Sequence, residues 1–472
     1  WNTIMKHWNV IKALEVWNEP DIGFGKSLPA EYVTSLTKAI SRTFKENSTP
    51  VSVIGGVFAS TRPGTNFYRT YIDNGLLEDS DIISFHSYAD VPYMEPLVSA
   101  LRQDEAGSGT PRLGIPYWIT ESGKPRPWYG TSRGFAAADQ YSAVEIVGKA
   151  VELRALGIQR YFAFEYKFRK ENANNFGLMD AKHTPMRNMA AYLHLVRVLS
   201  HRTYVGDLKG GDVFRARVFE GKDDLVAVLY NGVKNTRRQS VGLPGGLRVK
   251  QAAGIDGRPL QVRNGRVSNT DGITYLFFDR SQKQRFVNSN TSAMKLYLLA
   301  KNYKPQPRAA KPLVLQSMMD LSGLVISNRG FYVQNADDIT IKIRVNNFGM
   351  QPSVFIPNID LPAGARLLES PKAITVAAQQ KSDFSIRIAL DTSAGTKFQT
   401  LRAGDKNGRA TPIAFSLAPF RRAELDIHEF PAETEKEPVI TENSKINDWT
   451  DFSGHTNWTA WEGDKTIPDI EA

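Results

Sequence analysis

Five short apolar runs recur along the first part of the chain, and their spacing constrains the fold more than any other feature. They are 11-IKALEVW-17, 51-VSVIGGVF-58, 81-DIISFHSY-88, 115-IPYWITE-121 and 160-RYFAFEY-166. Intervals of roughly 30 to 40 residues hold one strand and one returning helix, so the pattern predicts five βα units with a parallel sheet. Between the runs, Tyr32, Leu36, Ile40 and Phe44 recur at helical spacing, as do Val144, Val147 and Val151.

After about Ser200 the pattern changes to alternating strands bounded by Gly, Asn and Asp, such as 213-VFRARVF-219, 225-LVAVLYNG-232, 272-GITYLFFD-279, 339-ITIKIRVNNFG-349 and 383-DFSIRIAL-390. Such runs predict β-sandwiches. The segment 293–312 predicts a short helix entering a Pro/Lys-rich linker, and 430-FPAETEKEP-438 is a second, acidic linker before Trp449, Trp458 and Trp461. The expected organisation is a βα region at 1–200, a β-sandwich at 201–300, an immunoglobulin-like sandwich at 301–425, and a linker with the start of a carbohydrate-binding module at 426–472.

Composition narrows the chemistry. The chain has no cysteine, which excludes disulfides, thiolate metal sites and cysteine nucleophiles. No stretch approaches the roughly 20 apolar residues of a membrane-spanning helix. The net charge of +10 comes from dispersed lysines and arginines, and the end is acidic, which argues against nucleic acid and leaves a lean toward anionic glycans. No phosphate loop, metal-ligand spacing or cofactor motif is present, so no cofactor is expected. The chain opens at Trp1 without an initiator methionine and is expected to be a fragment of a longer protein.

Two glutamates stand where apolar runs end: Glu19 in 15-EVWNEPD-21 and Glu121 in 117-YWITESG-123. In a parallel barrel the C-terminal strand ends share one face, so two carboxylates about 100 residues apart in sequence would converge there. Paired carboxylates suit glycosidic cleavage, where one protonates the departing oxygen and the other attacks the anomeric carbon or activates water. Strand alternation places Trp17 on the side of Glu19 and Trp118 on the side opposite Glu121, as core. Trp17 and Trp128, the latter with Tyr129 in a Gly/Pro-rich loop, are candidate stacking platforms for sugar faces.

The pairing of Trp17-Asn18-Glu19-Pro20 with Ile119-Thr120-Glu121, and Phe85-His86-Ser87-Tyr88 between them, resembles glycoside hydrolase clan A, the retaining (β/α)8-barrel superfamily. Families 39 and 86 are nearest in kind. The resemblance covers about 1–200 and implies that the five runs are barrel strands four to eight, the first three βα units being absent. It implies Glu19 as general acid/base, Glu121 as nucleophile, Asn18 on the sugar 2-hydroxyl, and His86 and Tyr88 orienting the nucleophile or touching the sugar. The clan's tryptophan on the eighth strand is missing; Phe164 or Tyr166 would substitute, and Glu165 would contact substrate or balance Lys167. The segment 175-NFGLMDAKHTP-185 resembles the clan's exit into the last helix.

The fold class expected is therefore α/β plus all-β: the C-terminal part of a (β/α)8 barrel followed by two β-sandwiches. The function expected is a retaining glycoside hydrolase acting on a polysaccharide or oligosaccharide. The alternative is a glycan-binding or cell-surface adhesion protein without chemistry. An extracellular or periplasmic bacterial setting is expected. A raised Glu19 pKa and a Glu121 held low by Tyr88 or His86 would divide the roles of acid and nucleophile.

Overall fold

The computed structural model describes residues 6–7, 9–22, 24, 29–59, 67–127, 132–171, 173–208, 215–230, 239–269, 272–286, 291–305, 310–320, 324–327, 330–395 and 397–420. Five strands form one curled parallel sheet in chain order: β1 (Ala13–Glu15), β2 (Ser52–Phe58), β3 (Ile82–His86), β4 (Tyr117–Ser122) and β5 (Arg160–Ala163). The helices between and after them are α1 (Ala30–Glu46), α2 (Phe67–Asp73), α3 (Leu76–Asp79), α4 (Met94–Gly107), α5 (Ser132–Ala155) and α6 (Arg187–Leu199). Because the strand order never reverses, right-handed crossovers put every helix on the same face of the sheet. On that face Ile83, Phe85, Tyr117 and Ile119 share a core with Leu97, Val98, Val147 and Val151.

The opposite face is more polar. The Ser84 hydroxyl donates to Oε1 of Glu15 at 2.9 Å and lies 2.6 Å from the Thr120 hydroxyl. Trp118 is half-buried there, its ring 6.0 Å from that of Phe162, with the Arg160 guanidinium 5.3 Å over it. The expectation that Trp118 is core is thus corrected: it stands on the face that carries the polar network.

Helix α1 also departs from its apolar pattern. Phe44 is buried, Tyr32 and Ile40 are half-buried, and Leu36 is 39% exposed. Each four-residue step overshoots a full turn by about 40°, so a stripe of three such steps drifts off one face. Thr34, Ser35, Lys38, Ser41 and Arg42 are buried instead, because a later β module covers them. Ser35 donates to the Leu315 carbonyl at 2.9 Å, Lys38 to that of Pro412 at 2.7 Å and Arg42 to that of Lys311 at 2.8 Å.

Beyond α6, a six-stranded antiparallel sheet runs Pro259–Leu260, Val249–Gly254, Ile273–Asp279, Asp224–Tyr230, Arg215–Glu220, Thr203–Asp207. One face packs on a three-stranded sheet through Val218, Leu225, Ala227, Val241 and Val267. The other face, with Tyr204, Phe219, Val226, Val228 and Tyr275, joins the core of α5 and α6. That double coverage is why Asp224–Tyr230 is almost continuously buried. The expected short helix follows at Ser292–Lys301. Residues 313–419 form a four-stranded and a five-stranded sheet around one core that includes Leu315, Ile341, Ile343, Phe355, Ile386, Leu401 and Phe415. Among the described residues no helix is long and apolar enough to cross a membrane. Trp449, Trp458 and Trp461 lie outside the described residues.

Candidate active site

Glu19 does not end a strand, as the sequence pattern suggested. Strand β1 stops at Glu15, and Glu19 follows on a turn with φ of 43°, a left-handed conformation that costs a non-glycine residue energy. The turn is fixed by the Glu19 amide donating to the Val57 carbonyl at 3.0 Å. Val57 is itself left-handed at φ 56°, and pairing of β2 with β3 shifts between Gly56 and Phe58. Two strained residues joined by a hydrogen bond therefore deliver Glu19. The Gly-Gly pair inside 51-VSVIGGVF-58 was the sequence signal for this bulge.

Glu121 is delivered by a second bulge. Phe85 pairs with Ile119 but His86 pairs with Glu121, so β4 carries one extra residue that brings Glu121 opposite His86. Simple alternation fails here, and Glu121 shares the face of Thr120 and Trp118.

The two carboxylates meet over His86. Its Nδ1 stands 2.7 Å from Oε1 of Glu19 and 3.6 Å from Oε2 of Glu121. Tyr88 donates its hydroxyl proton to Oε2 of Glu121 at 3.0 Å. His86 is buried, while the Glu19 and Glu121 side chains are 13% and 24% exposed, open enough for a ligand to reach. Burial pushes the Glu121 carboxyl above the ordinary carboxylate range; His86 and the Tyr88 hydrogen bond pull it down, and the charges of Glu19 and Glu15 push it up again. The expectation that Glu121 is held low is therefore corrected, because burial outweighs both donors. Burial, followed by the Glu121 charge, drives the Tyr88 phenol far above its usual value and keeps it a proton donor.

Aromatic rings wall the Glu121 side. Tyr88 stands edge-on to Phe164 at 6.3 Å and to Phe176 at 5.5 Å, and these two rings are 6.1 Å apart. Phe176 was missed as a site residue, although it lies in the 175-NFGLMD-180 segment singled out for another reason. A cis peptide bond links Phe164 to Glu165. Glu165 is half-buried, its backbone pairs with Phe176 and Leu178, and among the described residues it forms no ion pair with Lys167. The exposed Arg169 guanidinium sits 6.0 Å from the Phe164 ring centre.

Trp17 is 48% exposed, its indole N–H donating to the Phe24 carbonyl at 3.3 Å, and Asn18 is half-buried beside Glu19. Trp128 and Tyr129 lie outside the described residues. Glu15, Ser84 and Thr120 form a polar floor under the pair that sequence patterning did not single out; a glutamate inside the apolar run 11–17 was its signal.

Glu19, His86 and Glu121 each bring one donor atom within 4.8 Å of the others, the one such trio of His, Asp or Glu among the described residues. A histidine that ligates a metal normally donates its other N–H to a fixed acceptor. Nε2 of His86 is buried without such a partner among the described residues, and Nδ1 is engaged by Glu19, so the trio is arranged as a hydrogen-bonded acid pair.

No family model matches the chain, and no curated protein matches it. Similar solved structures include a family 39 glycoside hydrolase from Bacteroides cellulosilyticus WH2, at 15% identity over 59% of this chain and 60% of that one, with a TM-score of 0.47. A GH30 endoxylanase from Clostridium papyrosolvens C71 matches at 16% identity over 59% and 68% of the two chains, with a TM-score of 0.38. Xylanase 10B from Thermotoga maritima matches at 14% identity over 42% and 64%, with a TM-score of 0.29. The chain thus spans 60% of the length of the family 39 structure.

Proposed function

We propose that the chain carries the catalytic pair of a retaining glycoside hydrolase, with Glu19 as general acid/base and Glu121 as nucleophile. The single observation that carries this reading is the pair of carboxylates with oxygens within 4.8 Å of each other, bridged by His86 and braced by Tyr88. Inverting enzymes leave room for a water, with carboxyl groups roughly 6.5–9.5 Å apart, whereas retaining ones hold them at about 5–5.5 Å. Glu121 would attack the anomeric carbon while Glu19 passes its proton to the departing oxygen. Loss of the Glu121 charge in the covalent intermediate would let Glu19 activate water in the second step. His86 Nδ1, 2.7 Å from Oε1 of Glu19, holds that carboxyl in place while its proton goes to the departing oxygen and, in the second step, comes from water.

On this reading the curled sheet is strands four to eight of an eight-stranded barrel, the polar face of Glu15, Ser84 and Thr120 is its interior, and the β modules at 201–300 and 301–425 are accessory. Asn18, Trp17 and the Tyr88, Phe164 and Phe176 rings would contact the sugar, with Glu165 close by and Trp128 as a further platform. Arg169 beside Phe164, with Lys167 exposed two residues before it, favours a glycan that carries carboxylate or sulfate groups. A secreted protein of a bacterium would meet such a polymer outside the cell.

The test is turnover of aryl glycosides and polysaccharides by the full chain. Hydrolysis with retained configuration in the wild type, and an azide adduct of inverted configuration from Glu121→Ala, support the roles given. A retained azide adduct from Glu121→Ala would exchange them, and glycan binding without any turnover would leave an adhesion protein instead.

A further inference from the structure

We infer that Tyr141, Glu145 and Lys149 of α5 form a positioning clamp that sets the register of the two loops behind Tyr88 and Glu121. Its kinetic consequence rests on the glycosidase reading; its structural consequence does not.

The three residues recur every fourth position, which places them along one side of the helix. The Tyr141 hydroxyl donates to Oδ2 of Asp90 at 3.1 Å. Oε2 of Glu145 accepts from the Val91 amide at 3.1 Å. The Lys149 ammonium donates to the Gly123 carbonyl at 2.5 Å. Asp90 and Val91 follow Tyr88 by two and three residues, and Gly123 follows Glu121 by two, so the helix grips both loops just beyond the residues that meet in the site.

The loops are also tied to each other. Lys124 donates to Oδ1 of Asp90 at 2.7 Å and stands 4.9 Å over the Tyr141 ring. Ser122 donates to the Ser87 carbonyl at 2.7 Å. Gly123 has no slack, since a Cβ there would come within 2.7 Å of the Phe164 carbonyl oxygen. The Tyr88–Glu121 hydrogen bond is the site-side rung of the same ladder.

Glu145 and Lys149 are fully buried, and the second oxygen of Glu145 has no hydrogen-bond partner among the described residues. Buried ionisable groups add little stability over apolar residues of equal size, so these two are best explained by what they hold: a backbone donor and a backbone acceptor that water cannot reach. A displacement of about 1 Å in a reacting group can cost on the order of 100-fold in rate, which is the scale on which such a clamp acts.

The experiment compares the wild-type chain with Lys149→Met, Tyr141→Phe, Glu145→Leu and Glu145→Gln. It reads kcat and KM on an aryl glycoside, the unfolding midpoint, and the 15N NMR resonance of the His86 Nδ1 nitrogen, which lies against both carboxylates. The expected result is a fall in kcat of about 10-fold for Tyr141→Phe and about 100-fold for Lys149→Met, KM within about twofold, and a displaced His86 resonance. Glu145→Gln, which keeps the acceptor for Val91, should recover most of what Glu145→Leu loses. Tyr141→Phe removes one oxygen from a half-buried ring and leaves a folded protein even where Lys149→Met does not. The clamp is overturned if folded variants keep both the wild-type kcat and the wild-type His86 resonance, or if kcat falls only in step with the unfolded fraction. If the wild type turns over no glycoside, the glycosidase reading fails and the His86 resonance alone decides the clamp.

Discussion

At Glu121, burial and the neighbouring charges of Glu19 and Glu15 favour the protonated carboxyl, while His86 and Tyr88 favour the ionised one. The proposed nucleophile works only when ionised, so its kcat/KM should fall as pH drops through a value above the ordinary carboxylate pKa of about 4.3. The same raised pKa makes ionisation unfavourable to folding. The folded state binds more protons than the unfolded one between the two pKa values, so stability decreases as pH rises through that window and stays lower above it. Glu121→Gln should therefore unfold at a temperature about 1–3 °C higher than wild type at pH 7 while losing turnover, checked by calorimetry and rate assay. Glu19→Ala should lose about 100- to 10,000-fold on substrates with poor leaving groups and far less on dinitrophenyl glycosides, which need no proton. Equal losses on both substrate types would remove Glu19 from the acid role.

Strand ends carry the geometry of the candidate site through their irregularities. The β2 bulge at Gly56–Val57 supplies the carbonyl that fixes Glu19, and the β4 bulge turns Glu121 toward His86. Gly56 has φ of 90°, and a Cβ there would lie 2.9 Å from the Ser84 carbonyl oxygen and 2.8 Å from the Phe58 ring. Gly56→Ala should destabilise the chain by about 1–3 kcal/mol through strain and overpacking. It should also lower kcat beyond what the unfolded fraction accounts for, because Val57 and Glu19 move with the bulge. Denaturant titration beside kinetics at a temperature where the variant is folded separates the two effects, and a variant with full kcat would mean that Glu19 does not depend on the bulge.

Across the whole molecule, buried charge joins the βα region to the first β module. Arg217 on the six-stranded sheet donates to both oxygens of Glu152 on α5, at 2.6 and 2.9 Å, and reaches Asp207 at 2.9 Å and Glu95 at 3.1 Å. The Tyr230 hydroxyl also donates to Glu152. Burial alone would raise the Glu152 pKa, but the hydrogen bonds and charge of Arg217, with Tyr230 and Arg215, hold it below the usual carboxylate range. Its stabilising contribution is thus present above the unfolded-state pKa and lost as pH falls through the lower folded value, so the junction should weaken below about pH 4. Arg217→Met leaves Glu152 buried without its main partner and should cost about 3–5 kcal/mol, seen as a fall in Tm of about 5–10 °C. A change under about 1 °C would show that the network is replaceable.

How much of this was written in the chain can be read from particular residues. The five apolar runs determined five parallel strands in order, since period and spacing are local properties that survive into the fold, and the glutamates at 19 and 121 were marked by the apolar runs before them. His86 and Tyr88 were legible from their place at the end of β3. What sequence periodicity could not supply was orientation. The extra residue at the β4 bulge reverses the side a residue faces, which set Glu121 and Trp118 on the same face, and β1 ends four residues before Glu19. The polar residues of α1 are buried because a module roughly 280 to 370 residues further on covers them, and Glu145 and Lys149 bond to loops from two different βα units. Such partners are distant in sequence, so no local pattern encodes them; Phe176, Glu15 and the clamp on α5 acquire their roles only when the tertiary structure brings them together.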